Sequence, residues 1–251
     1  MIILIFFIAH WYLSLFSQTF LMHRYAAHGA FQMSKFWERF FYVVAYITMG
    51  SSYLSPKAYA IMHRLHHAYT DRPEDPHSPI YYPSILAMMK HTAKVYRDIG
   101  AERMAVEERF KKNVPDWPAM DRWGQSWISR ILWVLIYIAF YYFFAPSYWW
   151  YLLLPVHIFM GPVHGAIINW FAHKYGYTNF KLNNTSKNLL PVDFLMLGES
   201  YHNNHHKYAS SINFGVRWFE IDPVYIVIRL FGFLGIVKLK KRAVERLATE
   251  F

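Results

Sequence analysis

Eight histidines fall in three short boxes: His23-Arg-Tyr-Ala-Ala-His28, His63-Arg-Leu-His66-His67 and His202-Asn-Asn-His205-His206. A fourth piece, Asn169-Trp-Phe-Ala-His173, lies between the last two. Neutral imidazole is the commonest metal-binding side chain. In H-x-x-H-H the rings sit at i, i+3 and i+4, so on a helix they share one face. The chain holds 14 His in 251 residues, and two such boxes plus an H-x4-H are a remote coincidence at that frequency. With His173 there are nine candidate ligands, too many for one ion and suited to two. Imidazole takes iron, zinc, copper and nickel alike, so the boxes alone leave the metal open.

Carboxylates near the boxes can orient the rings, because a metal-bound histidine commonly donates its second N–H to a carboxylate or carbonyl. Asp71, four residues beyond His67, and Glu199, three before His202, have helical spacings for that role; Asp75 is a weaker candidate. The alternative for all three is a solvated charge or a helix cap. His10, His77, His91, His157 and His164 lack box spacing. His157 and His164 lie in an apolar stretch, where structural hydrogen bonding accounts for a histidine at least as well as function does.

The elements that must carry these boxes are apolar. Hydrophobic residues make up 55% of the chain and charged residues only 17%, which indicates a membrane protein. Residues 1–22 form an uncharged run long enough to cross a hydrocarbon core, and the run leads directly into the first box. It has no basic leader and no cleavage site, so it is expected to be retained. Residues 127–144 and 148–171 are two further spans, rimmed by Trp127, Trp133, Trp149 and Trp150 as interfacial belts are. Residues 224–237 contain Arg229 and predict an amphipathic helix on the membrane surface.

A parity argument sets the topology. The boxes can build one site only if they share a side. Two spans separate His67 from His173, which restores the side. Between His28 and His63 only residues 40–54 are apolar, interrupted by Gly50-Ser51-Ser52, so that run is predicted to be buried, re-entrant or surface-lying. No Lys or Arg precedes Arg24 or lies between Ile131 and His173, which puts the N-terminus outside and the boxes and C-terminus in the cytoplasm. The expected fold is an all-α integral membrane protein: about three spanning helices, a re-entrant or interfacial segment, and a cytoplasmic helical cap carrying the boxes. Residues 1–251 are read as a single domain.

Cysteine is absent, which excludes Cys-ligated zinc, iron–sulfur clusters held by this chain, thiolate haem and disulfides. The net charge of +10 could steer nucleic acid, anionic lipid headgroups or acidic protein partners, but no nucleic-acid motif accompanies it, and a cytoplasmic-side excess of Lys and Arg is the favoured explanation.

Taken together, the boxes resemble those of the integral-membrane fatty-acyl desaturases of the acyl-CoA/Δ9 type. His23 to His28 is similar to that family's H-R-x-x-x-H. His63 to His67 is similar to H-R-x-H-H, and Asp75-Pro76-His77 to the D-P-H that follows it. Gly198 to His206 is similar to G-E-x-x-H-N-x-H-H, and Asn169 to His173 to N-x-x-x-H. The resemblance implies two iron ions held by His23, His28, His63, His66, His67, His173, His202, His205 and His206, with Asn169 reaching the metal through water. No catalytic residue beyond these ligands is implied, and purified material can carry zinc in place of iron. O2 would be reduced with two electrons from outside, and a saturated acyl chain would lose two neighbouring hydrogens, giving a cis double bond, at Δ9 in this type, and water.

No flavin or haem is expected in the chain, so the donor would be a separate ferredoxin or cytochrome b5-like protein. The acyl chain could arrive on CoA, a lipid or a carrier protein. Animal relatives carry an Arg-Asp pair for CoA where this chain has Ile61-Met62. Lys57, Arg64 or the basic segment 90–103 could contact phosphates, the alternative being a solvated basic face. The expected location is a bacterial cytoplasmic membrane.

Two other functions fit parts of this pattern. A membrane di-iron fatty-acid hydroxylase or alkane monooxygenase shares the oxidant but uses other box spacings. A non-enzymatic metal-binding or transport protein would line a path through the bilayer, whereas these boxes gather at one face.

Overall fold

The computed structural model describes residues 1–240. The final part of the predicted single domain, and the predicted side of the C-terminus, lie outside them. The first apolar run becomes α1 (Ile2–Ser17), which continues without a break as a π-helix over Gln18–Ala27. Together they make one 26-residue helix, long and apolar enough to cross a membrane whose hydrocarbon core is about 30 Å thick. The first box sits at the end of this helix.

Strand β1 (Phe31–Met33) leads into α2 (Lys35–Met49), capped by the Ser34 hydroxyl. Phe41, Tyr42, Ala45 and Met49 of α2 are buried, whereas Phe36, Phe40, Val43 and Ile47 form an exposed apolar stripe. At 15 residues, and with Lys35, Glu38 and Arg39 near its start, α2 is not among the helices long and apolar enough to cross a membrane. Gly50, at φ +53°, turns the chain: a Cβ there would lie 1.8 Å from the Tyr137 hydroxyl. Helix α3 (Pro56–Tyr69) starts on a Ser55 cap with proline in its first turn and carries the second box.

The polar segment that follows folds as α4 (Ile85–Gly100), α5 (Glu108–Lys111) and α6 (Pro118–Gln125). Helix α7 (Trp127–Phe144) is the second apolar helix long enough to span. The stretch predicted as one continuous span, 148–171, is instead broken. It runs through a 3-10 turn, α8 (Leu154–Ile158), α9 (Met160–Ala166) and a π turn over Ile167–Phe171, with a bend of 72°. The bend falls at Phe159, just before Gly161-Pro162; Pro162 has no N–H to bond back and its ring crowds the preceding turn. The fold therefore has two candidate membrane spans, or three with the bent pair counted as one.

The third box lies on α10 (His202–Lys207). Helix α11 (Pro223–Phe233) is shorter than the predicted surface helix 224–237. After Gly235, at φ +71°, the chain forms β2 (Val237–Leu239), antiparallel to β1 with Gln32 opposite Lys238. This two-stranded ribbon departs from the all-α expectation. It ties α11 to the start of α2, where Phe20, Phe41 and Phe231 pack ring on ring in the main core.

Candidate metal centre

The first box works because its helix is π-wound. In an α-helix, residues five apart point about 140° away from one another. Here the His28 N–H donates to the His23 carbonyl, the i to i+5 bond of a π turn, and the two rings come to 5.0 Å between centroids. The second box sits on regular α3, where His63 and His67 are one turn apart and their Nε2 atoms lie 3.0 Å from each other. On α10, His202 and His206 repeat the same pairing at 3.0 Å.

The nine predicted histidines divide into two groups. His23, His28, His63, His67 and His205 form one; His66, His173, His202 and His206 form the other, and within each the ligand atoms lie within 4.8 Å of one another. Each H-x-x-H-H box is split: its i, i+4 pair enters one group and its i+3 histidine the other. The boxes thereby lock into one two-centre unit. His67 Nε2 lies 2.8 Å from His205 Nε2, and His66 Nε2 lies 3.2 Å from His206 Nε2.

The outer nitrogens set the tautomers. His23 Nδ1–H donates to Glu199 Oε2 at 2.6 Å, and the Thr19 hydroxyl donates to the other oxygen of the same carboxylate. His66 Nδ1–H donates to Asp75 Oδ1 at 2.9 Å. His173 Nδ1 is 3.1 Å from the Thr185 hydroxyl. With the proton held on Nδ1 by a carboxylate, the Nε2 atoms of His23 and His66 present lone pairs inward, one into each group. A cation among the gathered nitrogens of each group would take up such lone pairs. Burial, reinforced by the neighbouring rings, holds His28, His63, His67 and His205 well below their usual pKa of 6.5, and the same causes act on His66, His202 and His206. Neutral imidazole is the ligating form. The donor set thus fits two metal ions.

Asp71 is not bonded to any imidazole. Helix α3 ends at Tyr69, and Asp71 sits at φ +61° in the turn beyond, so helical spacing no longer applies. It accepts from the Ser78 hydroxyl and the Thr185 N–H, while Asp75 folds back onto His66. Asn169 lines a cavity shared with His23, His63, His202 and Glu199. His77, which lacks box spacing, also lines that cavity. Its ring is 4.2 Å from that of His66, and both its nitrogens are buried without a hydrogen-bond partner among the described residues. Its signal in the sequence was the D-P-H element.

The boxes are held by residues that spacing arguments passed over. Arg24 is fully buried, 2.9 Å from Asp222 Oδ2, donating to the Ile212 carbonyl and stacked 3.9 Å over Phe214. Arg64, a candidate phosphate contact, donates instead to the carbonyls of Ala26, Ala27, Phe110 and Lys112, joining α3 to the end of the first box. Lys57 pairs with Asp116 at 3.1 Å. Asn203 and Asn204 fix α10: their amides bond Asn179, Phe180, Ser186, Asn188, Phe214 and Glu220. Asp193 accepts the N–H groups of Met196, Gly198 and Ser200, which shapes the turn presenting Glu199. Gly198 is needed there: at φ +92°, a Cβ would meet Asp222 Oδ1 at 2.6 Å.

Comparison with known proteins agrees with this site. The family model described as fatty acid desaturase matches residues 1–233. The Delta-9 desaturase-like 5 protein of Arabidopsis thaliana is 31% identical over 229 residues, which is 88% of this chain and 70% of the relative. Delta-9 acyl-lipid desaturase 2 of the same plant is 29% identical over 237 residues, 89% of this chain and 71% of the relative. An acyl-CoA 5-desaturase of Anemone leveillei is 28% identical over 230 residues, 88% of this chain and 66% of the relative. With two histidine groups able to hold metal and apolar helices beside them, the chain belongs to the fatty acid desaturase family and is a fatty-acyl desaturase, an oxidoreductase of lipid metabolism.

Proposed function

We propose that this desaturase places a cis double bond at Δ9 of a saturated acyl chain, using O2 and two electrons from an external ferredoxin or cytochrome b5-like donor. The observation that carries this reading is the convergence of nine histidines into two adjacent groups facing one cavity. The Δ9 position is carried over from the names of the plant relatives.

The nine histidines are assigned as ligands of two iron ions, with Asn169 acting through water. Glu199 and Asp75 hold His23 and His66 in the ligating tautomer. Iron as the resident metal is carried over from the family the boxes resemble; imidazole donors alone also accept zinc. When bound, the irons would supply the oxidant that removes hydrogen from an unactivated methylene.

The chain's own residues keep that chemistry confined. Leu15, Met62, Ile168 and Met196 line the cavity with apolar surface that would hold the acyl chain and exclude water. The reading includes a bilayer setting with the N-terminus outside and the box-bearing cap in the cytoplasm of a bacterial cell. The first box lies at the end of the first long helix, and His173 lies two residues beyond the bent pair, as that arrangement requires.

Expression in a desaturase-deficient host, with double-bond positions determined by mass spectrometry, tests the proposal. A cis-Δ9 monoene supports it; a bond elsewhere corrects the position, and a hydroxylated product would replace the reading with the hydroxylase one.

A further inference from the structure

Three histidines inside the apolar helices belong to neither metal group: His10 on α1, His157 on α8 and His164 on α9. All are buried. An ionisable side chain within a membrane span is costly and marks function by default. The three are arranged in register. His10, Ser14 and Gln18 follow one another at i, i+4 and i+8 along one face of the first helix, covering about 12 Å. The bent pair runs the same way toward the metal centre. His157 Nδ1 meets His10 Nδ1 at 2.6 Å, and His164 Nδ1 meets Gln18 Nε2 at 2.8 Å.

The hydrogen bonds also orient this file. The Gln18 amide donates to His164 Nδ1, which leaves the proton of a neutral His164 on Nε2. That Nε2 is buried with no hydrogen-bond partner among the described residues. His164 lines the same cavity as His23, His63 and His202. Behind it, the Ser14 hydroxyl and His157 Nε2 are likewise buried without partners, and the Tyr137 hydroxyl reaches His10 Nε2 at 3.5 Å. A purely structural buried histidine normally has its polar atoms satisfied. Among the described residues the two pairs are not bonded to each other; the Ser14 hydroxyl lies between them along the helix face with its hydrogen bonds unmade, and the His164 end lies at the cavity.

The reaction has a use for such a file. Converting –CH2–CH2– and O2 into –CH=CH– and two waters breaks two C–H bonds and the O–O bond and forms one C–C π bond. The substrate supplies two hydrogens with their electrons, and the donor protein supplies two more electrons. Two protons must still come from solvent. We propose that His164, backed by the His10–His157 pair, passes those protons into the cavity, with Gln18 as its positioning residue. This rests on the O2-dependent reading above.

The test uses the iron-loaded full chain in detergent or nanodiscs, with ferredoxin and its reductase as donor. Variants H164L, H164Q and H10F are compared with the unaltered chain. Iron per chain, alkene formed per electron pair, peroxide released and the solvent deuterium isotope effect are measured. The expected result is unchanged iron, turnover reduced roughly 100-fold in H164L, more peroxide per electron pair, and a larger isotope effect. H164Q, which can still hydrogen-bond but cannot hand on a proton, should behave like H164L. Unaltered turnover and isotope effect in H164Q would overturn the proposal, as would iron loss in every variant, which would mark the cluster as structural. No alkene from the unaltered chain with either a ferredoxin or a cytochrome b5-like donor would overturn the O2-dependent reading, and this inference with it, before any variant is needed.

Discussion

His67 Nε2 lies 2.8 Å from His205 Nε2, although 138 positions separate them in the chain. That contact joins the second box to the third. We expect His205→Ala to lower bound iron by about one ion per chain and to reduce double-bond formation by more than about 100-fold, beyond the range seen for residues that merely support ligands. Metal analysis alongside product profiling checks this. Full iron with full activity would remove His205 from the ligand set.

The two aspartates near the second box should behave differently. Asp75 accepts from His66 Nδ1, whereas Asp71 bonds Ser78 and the Thr185 backbone. Asp75→Asn is expected to weaken metal affinity about 10- to 100-fold, and Asp71→Asn by much less. A competitive chelator titration of both variants decides. Equal losses would show that the direct bond to His66 carries no special weight.

The Arg24–Asp222 pair is fully buried, and Asp222 also caps α11 through the N–H groups of Val224 and Tyr225. Removing one partner strands the other charge, so Arg24→Met is expected to cost about 3–5 kcal/mol. Thermal unfolding in detergent reads the loss. A melting temperature within error of the unaltered protein would show that the pair is dispensable.

Acid should release the metal and weaken the fold. His63 and His202 are held well below their usual 6.5, first by burial and then by neighbouring rings. The native site therefore excludes protons that the unfolded chain takes up below about pH 6.5. The stability from these rings is present above that value and is lost progressively as pH falls below it. Metal retention and unfolding followed from pH 7.5 to 5 should both decline through this window. Metal retention independent of pH down to 5 would contradict the assignment.

Much of the site was legible because ligand chemistry is local. The H-x-x-H-H spacing places three rings on a helix face wherever the helix goes, and Glu199 lies close enough to the third box to suggest a supporting role. Apolar run lengths gave two of the spans. The remainder depended on long-range packing. Spacing alone favoured Asp71 over Asp75 because it assumes the helix continues, and α3 stops at Tyr69. Glu199 does support a ring, but that of His23, 176 positions away.

The sequence by itself determined which side chains can bind metal and that apolar helices must carry them, since residue type and periodicity are properties of short segments. Tertiary structure decided how the ligands are shared. The π winding that aligns His23 with His28 needs the backbone bond from His28 to His23, in a helix end buried against α3 and α2. The division of each H-x-x-H-H box between two groups needs α3 and α10 to face each other, which Arg24, Arg64, Asn203 and Asn204 support with bonds to distant backbone. Those bonds form only when segments far apart in the chain are brought together, so no local pattern could reveal them.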